Sequence, residues 1–138
     1  MTSFAIGQQL PSLSLEPDTM GIIVGNVGTF DFFPGLIDPD FARSVGHKSA
    51  FMNTMVQLSL MDRFALEAMP EGRIRSHELT MRKPIYGGMA LEVTGTVTGS
   101  APFAGSKLAG PGTEYQIDLE IRVGADVHTK GKVSVVVP

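Results

Sequence analysis

The chain has 138 residues, 43% hydrophobic and 18% charged, with a net charge of −3 at pH 7. That is the size of a single folded domain, residues 1–138, and not of a disordered chain. The acidic balance argues against a protein built to neutralise nucleic acid phosphates, and the absence of cysteine excludes disulfides, a thiolate nucleophile and sulfur-ligated zinc. His47, His77 and His128 are the entire imidazole supply.

The first seven residues lack the basic segment and apolar core of a secretory signal, and no stretch approaches the roughly 18 consecutive apolar residues of a membrane span. A soluble, cytoplasmic domain with no membrane partner is the expectation. In chain order, the first ten residues are expected to be weakly ordered, and Leu13-Ser14-Leu15 alternates like a short strand before a turn at Pro17-Asp18. The β-branched run from Met20 to Gly28 is predicted as a buried strand. A loop follows in which Phe30, Phe32 and Phe33 crowd a single carboxylate, Asp31. Asp38-Pro39-Asp40 is a strong helix start, with a cap, a proline at the first helical position and an acid at the positive end of the dipole. That helix should stop at Gly46.

A longer helix is predicted from about Ser49 to Glu67, with Phe51, Met55, Leu58, Met61 and Ala65 on one face and Met52, Val56, Leu60 and Phe64 widening it. Pro70 and Gly72 end it. Beyond it come only strands: a mixed polar one over 73–83, then 89–98 with Leu91, Val93 and Val97 on one face. The next alternates from Tyr115 to Val123, and the last sets Val133, Val135 and Val137 against Lys130, Lys132 and Ser134. Residues 99–112 read as a flexible loop anchored by Phe103 and Leu108. Long amphipathic strands suit an antiparallel sheet, and with one long apolar helix they give an α+β domain whose sheet curls around the helix, the hotdog arrangement.

Asp31-Phe32-Phe33-Pro34-Gly35-Leu36-Ile37-Asp38, continued by Ala42 and Gly46, resembles the signature of the MaoC-like hydratases and dehydratases, hotdog proteins that act on acyl thioesters. That signature runs Asp, any, Asn, Pro, any, His, any, Asp, then Ala and Gly. Asp31, Pro34, Asp38, Ala42 and Gly46 fall in register. Asn53-Thr54 resembles the variant helix opening of the branch associated with steroid side-chain breakdown. Arg82-Lys83-Pro84-Ile85-Tyr86-Gly87-Gly88 resembles the family's Arg-x-Pro-x-x-x-Gly-Asp turn, with Gly88 in place of Asp.

The resemblance covers residues 10–138 and implies an enoyl-CoA or 3-hydroxyacyl-CoA ligand, with Asp31 in the site and no cofactor besides the coenzyme A of the substrate. It also implies that Asn53 and Thr54 polarise the thioester carbonyl from the first helical turn. The departure lies at two positions: Phe33 stands where the family has Asn, and Leu36 where it has His. A leucine can neither move a proton nor accept a hydrogen bond.

Two readings therefore stand side by side, altered or lost hydration in the same site and a degenerate subunit whose partner supplies the Asp/His pair. The acyl pocket of such folds implies a homodimer or a hetero-oligomer with another hotdog subunit. A non-catalytic ligand-binding protein with a methionine-lined pocket and an acyl-CoA thioesterase are the alternatives. His47 is either an exposed residue between helices or a group turned toward Asp31. His77 and His128 read as ordinary sheet-face residues, and three scattered histidines make no metal site. Asp31 reads equally as an Asx cap and as a carboxylate desolvated by its phenylalanines. Arg73, Arg75, Arg82 and Lys83 form either a solvated strand face or contacts to coenzyme A phosphates, with Arg82 and Lys83 the pair nearest the motif.

Overall fold

A computed structural model describes residues 3–138. Strands β1 (Leu13–Leu15), β2 (Arg73–Met81), β3 (Leu91–Phe103), β4 (Gly112–Val123) and β5 (Asp126–Val137) form one antiparallel sheet in the order β1-β3-β4-β5-β2. Helices α1 (Thr19–Gly28), α2 (Pro34–Ile37) and α3 (Pro39–Ser44) precede the central helix α4 (Thr54–Ala68).

The alternation of the long strands does what their period requires. Leu91, Val93, Val97, Ile117, Leu119, Ile121, Val133 and Val135 turn inward and are buried with Leu60, Met61, Phe64 and Ala65 of α4. Two glycines set how closely the helix approaches. A Cβ on Gly95 of β3 would fall 2.6 Å from the Phe64 ring, and one on Gly131 of β5 would fall 2.5 Å from Met61 Sδ. The missing side chains let the sheet fold tightly over α4, as the hotdog expectation requires.

Several expectations are corrected. Met20–Gly28 is the helix α1 and not a strand. Asp18 caps it by accepting from Gly21 N at 2.7 Å, and only Ile22 and Asn26, four residues apart, are buried. The β-branched content misled because no neighbouring strand was available to pair with it, and the cap decided. Within the described part of the first ten residues, Gly7 N and Leu10 N donate to Val97 O and Gly95 O, and Gln9 bridges to Thr96, so this segment extends the β1 edge.

The loop after α1 contains the short helix α2. The central helix starts at Thr54 and not near Ser49, because Asn53 caps it and Phe51 is held in a bridge to Tyr86. Met55, placed on the inner face by its spacing, is exposed. Residues 99–103 and 112 belong to β3 and β4, so the connector shrinks to 104–111. Leu108 anchors nothing at 87% exposure, while Phe103 lies under the Arg75 guanidinium at 5.1 Å. His128 is buried at a bulge of β5, its Nδ1 2.9 Å from Pro84 O, and is not the ordinary sheet-face residue expected. Among the described residues no helix is long and apolar enough to cross a membrane.

Candidate functional site

The site begins with a buried asparagine that sequence reasoning passed over. Asn26, fully buried on α1, donates from Nδ2 to Leu36 O (2.8 Å) and Phe51 O (2.9 Å), and its Oδ1 accepts from Asn53 N (3.0 Å). One side chain thereby joins α1, α2 and the residues leading into α4. Its signal in the sequence was a lone amide inside an apolar run.

Asn53 carries the connection onward. Its Oδ1 caps α4 by accepting from Val56 N (2.9 Å), and its Nδ2 donates to Thr29 Oγ1 (2.8 Å) and Asp31 Oδ2 (3.3 Å). Thr29 Oγ1 in turn donates to Asn26 O at 2.8 Å. Since Asn53 O also takes Gln57 N, the N–H groups of Thr54 and Met55 are left at the open end of α4. Asp31, Asn53 and Thr54 are thus brought together at the positive end of the central helix.

Asp31 is half-buried and takes the first of its two expected forms, the Asx cap. Its Oδ1 accepts from Phe33 N at 3.4 Å as an Asx cap, while Oδ2 faces Asn53. The expected cage of phenylalanines is not formed. Phe30 is 84% exposed, Phe32 and Phe33 are exposed as well, and the Phe33 ring meets Phe41 edge-on at 6.0 Å. Phe30 has φ of +57°, a left-handed conformation that aromatic residues rarely adopt. Phe30→Gly is therefore expected to stabilise the fold by about 1 kcal/mol, read as a rise in the urea midpoint at unchanged slope. A fall in that midpoint would mean that the ring packs usefully despite its exposure.

Leu36, at the position where the resembled signature has histidine, is 4% exposed and has its carbonyl held by Asn26. No histidine substitutes for it. His47 stacks on Phe51 with ring centroids 4.1 Å apart, and its Nδ1 lies 3.1 Å from Tyr86 Oη, so it is tied to Tyr86 rather than turned to Asp31. His77 Nδ1 meets Asp62 of α4 at 2.9 Å, a pairing between β2 and the helix that its place in a polar strand did not reveal. Among the described residues no cluster of three or more His, Asp or Glu could hold a metal ion.

The four basic residues do not form one patch. Arg75 pairs with Glu114 at 2.6 Å near the far end of β2, beside Arg73. Arg82 and Lys83 follow the other end, where both backbone N–H groups donate to His128 O and Lys83 Nζ lies 3.4 Å from Asp126. Nine residues of extended chain separate Arg73 from Arg82 by roughly 30 Å. The Arg82 end is the one next to α4's first turn, because Met81 Sδ lies 3.7 Å from Thr54 Oγ1. A concavity of about 910 Å³ lies on the outer face of the sheet, lined by Glu78, Glu92, Asp118, Arg122, Lys130 and Lys132, and is separate from this network.

These features define an α+β hotdog chain with a carboxylate at the head of its central helix. No protein-family model and no curated protein sequence matches it. Solved structures do. A chain of the ChsH1–ChsH2 complex from Mycobacterium tuberculosis superposes with a TM-score of 0.86 at 23% identity, over 99% of this chain and 100% of that one. The (R)-hydratase from A. caviae involved in PHA biosynthesis gives 0.80 at 19%, over 100% of both chains. The MaoC-like dehydratase from Rhodospirillum rubrum gives 0.78 at 20%, over 97% of this chain and 92% of that one. The fold is the hotdog of MaoC-like dehydratases and (R)-hydratases.

Proposed function

We propose that the chain binds an acyl-CoA thioester, of the enoyl or 3-hydroxyacyl class, in a MaoC-like site whose hydration activity is weakened or lost. The observation that supports this reading is Asp31 hydrogen-bonded to Asn53 at the head of α4, with Leu36 rather than an imidazole joined to the same network through Asn26. The carboxylate can still accept a proton from water, and donors at the head of α4 can still polarise a carbonyl. The second acid–base group is missing. Arg82 and Lys83, next to the same end of the helix, are suited to coenzyme A phosphates.

The test is to incubate the chain with crotonyl-, medium-chain and steroid-type CoA esters, following both hydration and free CoA. Calorimetric binding that weakens as salt rises supports the phosphate contact. Binding without turnover supports a degenerate site, release of CoA points to a thioesterase, and no binding overturns the reading.

The subunit form of this reading has its own observation. Met20, Val24 and Val27 make an exposed apolar ridge on α1, continued by Phe30, Phe32 and Phe33. Stable monomers rarely leave contiguous apolar patches beyond a few hundred Å² in water. A second hotdog chain, of the same or another sequence, suits this surface, and the ChsH1–ChsH2 structure is a complex of this kind in name. Light scattering is expected to give a dimer or larger species, and Val24→Asp to weaken its association at least tenfold. A parent chain that is monomeric at tens of micromolar would overturn self-association.

A further inference from the structure

One turn beyond Asn53, Gln57 is only 1% exposed on the inner face of α4. Its Oε1 accepts from Thr129 Oγ1 at 2.5 Å, and one proton of its amide goes to Met52 O at 3.2 Å. The other has only Met81 Sδ, at 3.3 Å, and Thr54 Oγ1 faces the same sulfur at 3.7 Å. A thioether is a weak acceptor, so it returns little to the buried Gln57 amide for its lost hydration, while the exposed hydroxyl of Thr54 faces the same atom from the solvent side. The residue that carries this sulfur closes β2, is unbranched and is 49% exposed, so it can swing into solvent by rotating about its side-chain bonds alone. The position it occupies lies against Thr54, the residue that follows Asn53, which binds Asp31.

We propose that Met81 is a displaceable plug and that the place of its sulfur belongs to the carbonyl oxygen of a bound acyl thioester, received by Gln57 Nε2 with Thr54 Oγ1 beside it. The proposal rests on the acyl-thioester reading and deepens it by naming a binding residue and a gate. Two donors facing one point select an acceptor-only atom, which distinguishes a thioester from an alkyl chain or a thioether. Neither donor titrates in the physiological range, so the selection does not depend on pH.

Hexanoyl-CoA and S-hexyl-CoA differ only in that carbonyl, and calorimetric titration of both tests the subsite. The parent is expected to prefer hexanoyl-CoA at least tenfold. Gln57→Leu should erase the preference, and Met81→Ala should keep it while tightening hexanoyl-CoA severalfold. Should Gln57→Leu fail to fold, the methyl resonance of Met81 in the methyl-labelled parent chain provides the readout, and saturation with hexanoyl-CoA is expected to shift it. Equal binding of both compounds, a preference that survives in Gln57→Leu, or an unmoved Met81 methyl at saturation would overturn the plug while leaving the acyl-thioester reading intact. Failure of the parent to bind either compound would overturn that reading, and the plug with it.

Discussion

Leu36→His is expected to raise the hydration of crotonyl-CoA about 10²-fold or more above the parent chain, the lower end of what one positioned acid–base group supplies. The backbone at position 36 is already fixed, because its carbonyl accepts from Asn26, and Asn26 also holds the backbone of Asn53, whose side chain binds Asp31. An imidazole there enters a site whose carboxylate is in place, and it is not much different in volume from leucine. Burying the ring is expected to cost about 1–3 kcal/mol of stability until its nitrogens find partners. The double variant Asp31→Ala/Leu36→His should return to the parental rate, which separates a restored pair from an unrelated gain. A folded Leu36→His chain no faster than its parent would show that position 36 does not face the reacting carbon, and the degenerate-hydratase reading would fall.

Loss of the Asn26 amide is expected to be the largest single destabilisation in the site. Asn26→Leu leaves two carbonyls and one N–H without their partner in a buried place. At about 1–3 kcal/mol for each orphaned group, partly offset by relaxation, the loss should reach about 3–5 kcal/mol. That is a large share of the 5–15 kcal/mol typical of a domain.

Asn26→Asp adds a pH signature. Its carboxylate would face the carbonyl oxygens of Leu36 and Phe51, whereas the neutral acid can still donate to one of them. Its folded-state pKa is therefore raised above the unfolded value near 3.9. The neutral-acid contribution is present below the unfolded pKa and is lost as pH rises through the folded one. Urea midpoints, compared with the parent at each pH, should fall further at pH 7 than at pH 4. A midpoint within experimental error of the parent in both variants would mean that the three segments are held together without Asn26.

The parts that were legible in the sequence are those that obey a local rule. Strand alternation from Tyr115 to Val123 specified both the β4 strand and its buried face, and Asp38-Pro39 specified the start of α3. The motif register singled out Asp31 and Asn53 as residues of one candidate site, and the structure does join their side chains. What stayed hidden depended on partners distant in sequence. Asn26 and Gln57 are single polar residues in apolar surroundings, and only the carbonyls of Leu36, Phe51 and Met52 and the hydroxyl of Thr129 explain them. The four basic residues are spread out for a geometric reason: neighbours along a strand diverge by more than 3 Å per residue, so closeness in sequence does not make Arg73 and Arg82 one patch.

The sequence by itself determined the α+β hotdog plan and the departure from the resembled signature, because periodicity, caps and the leucine at position 36 are properties of residue order. Tertiary structure alone decided that Met20–Gly28 is a helix with its valines in water, that His47 turns to Tyr86, and that Asp31 meets the head of α4 through Asn53. Each of these turns on which distant group satisfies a buried polar atom or covers an apolar one. Local propensity cannot supply that answer when two conformations bury similar surface.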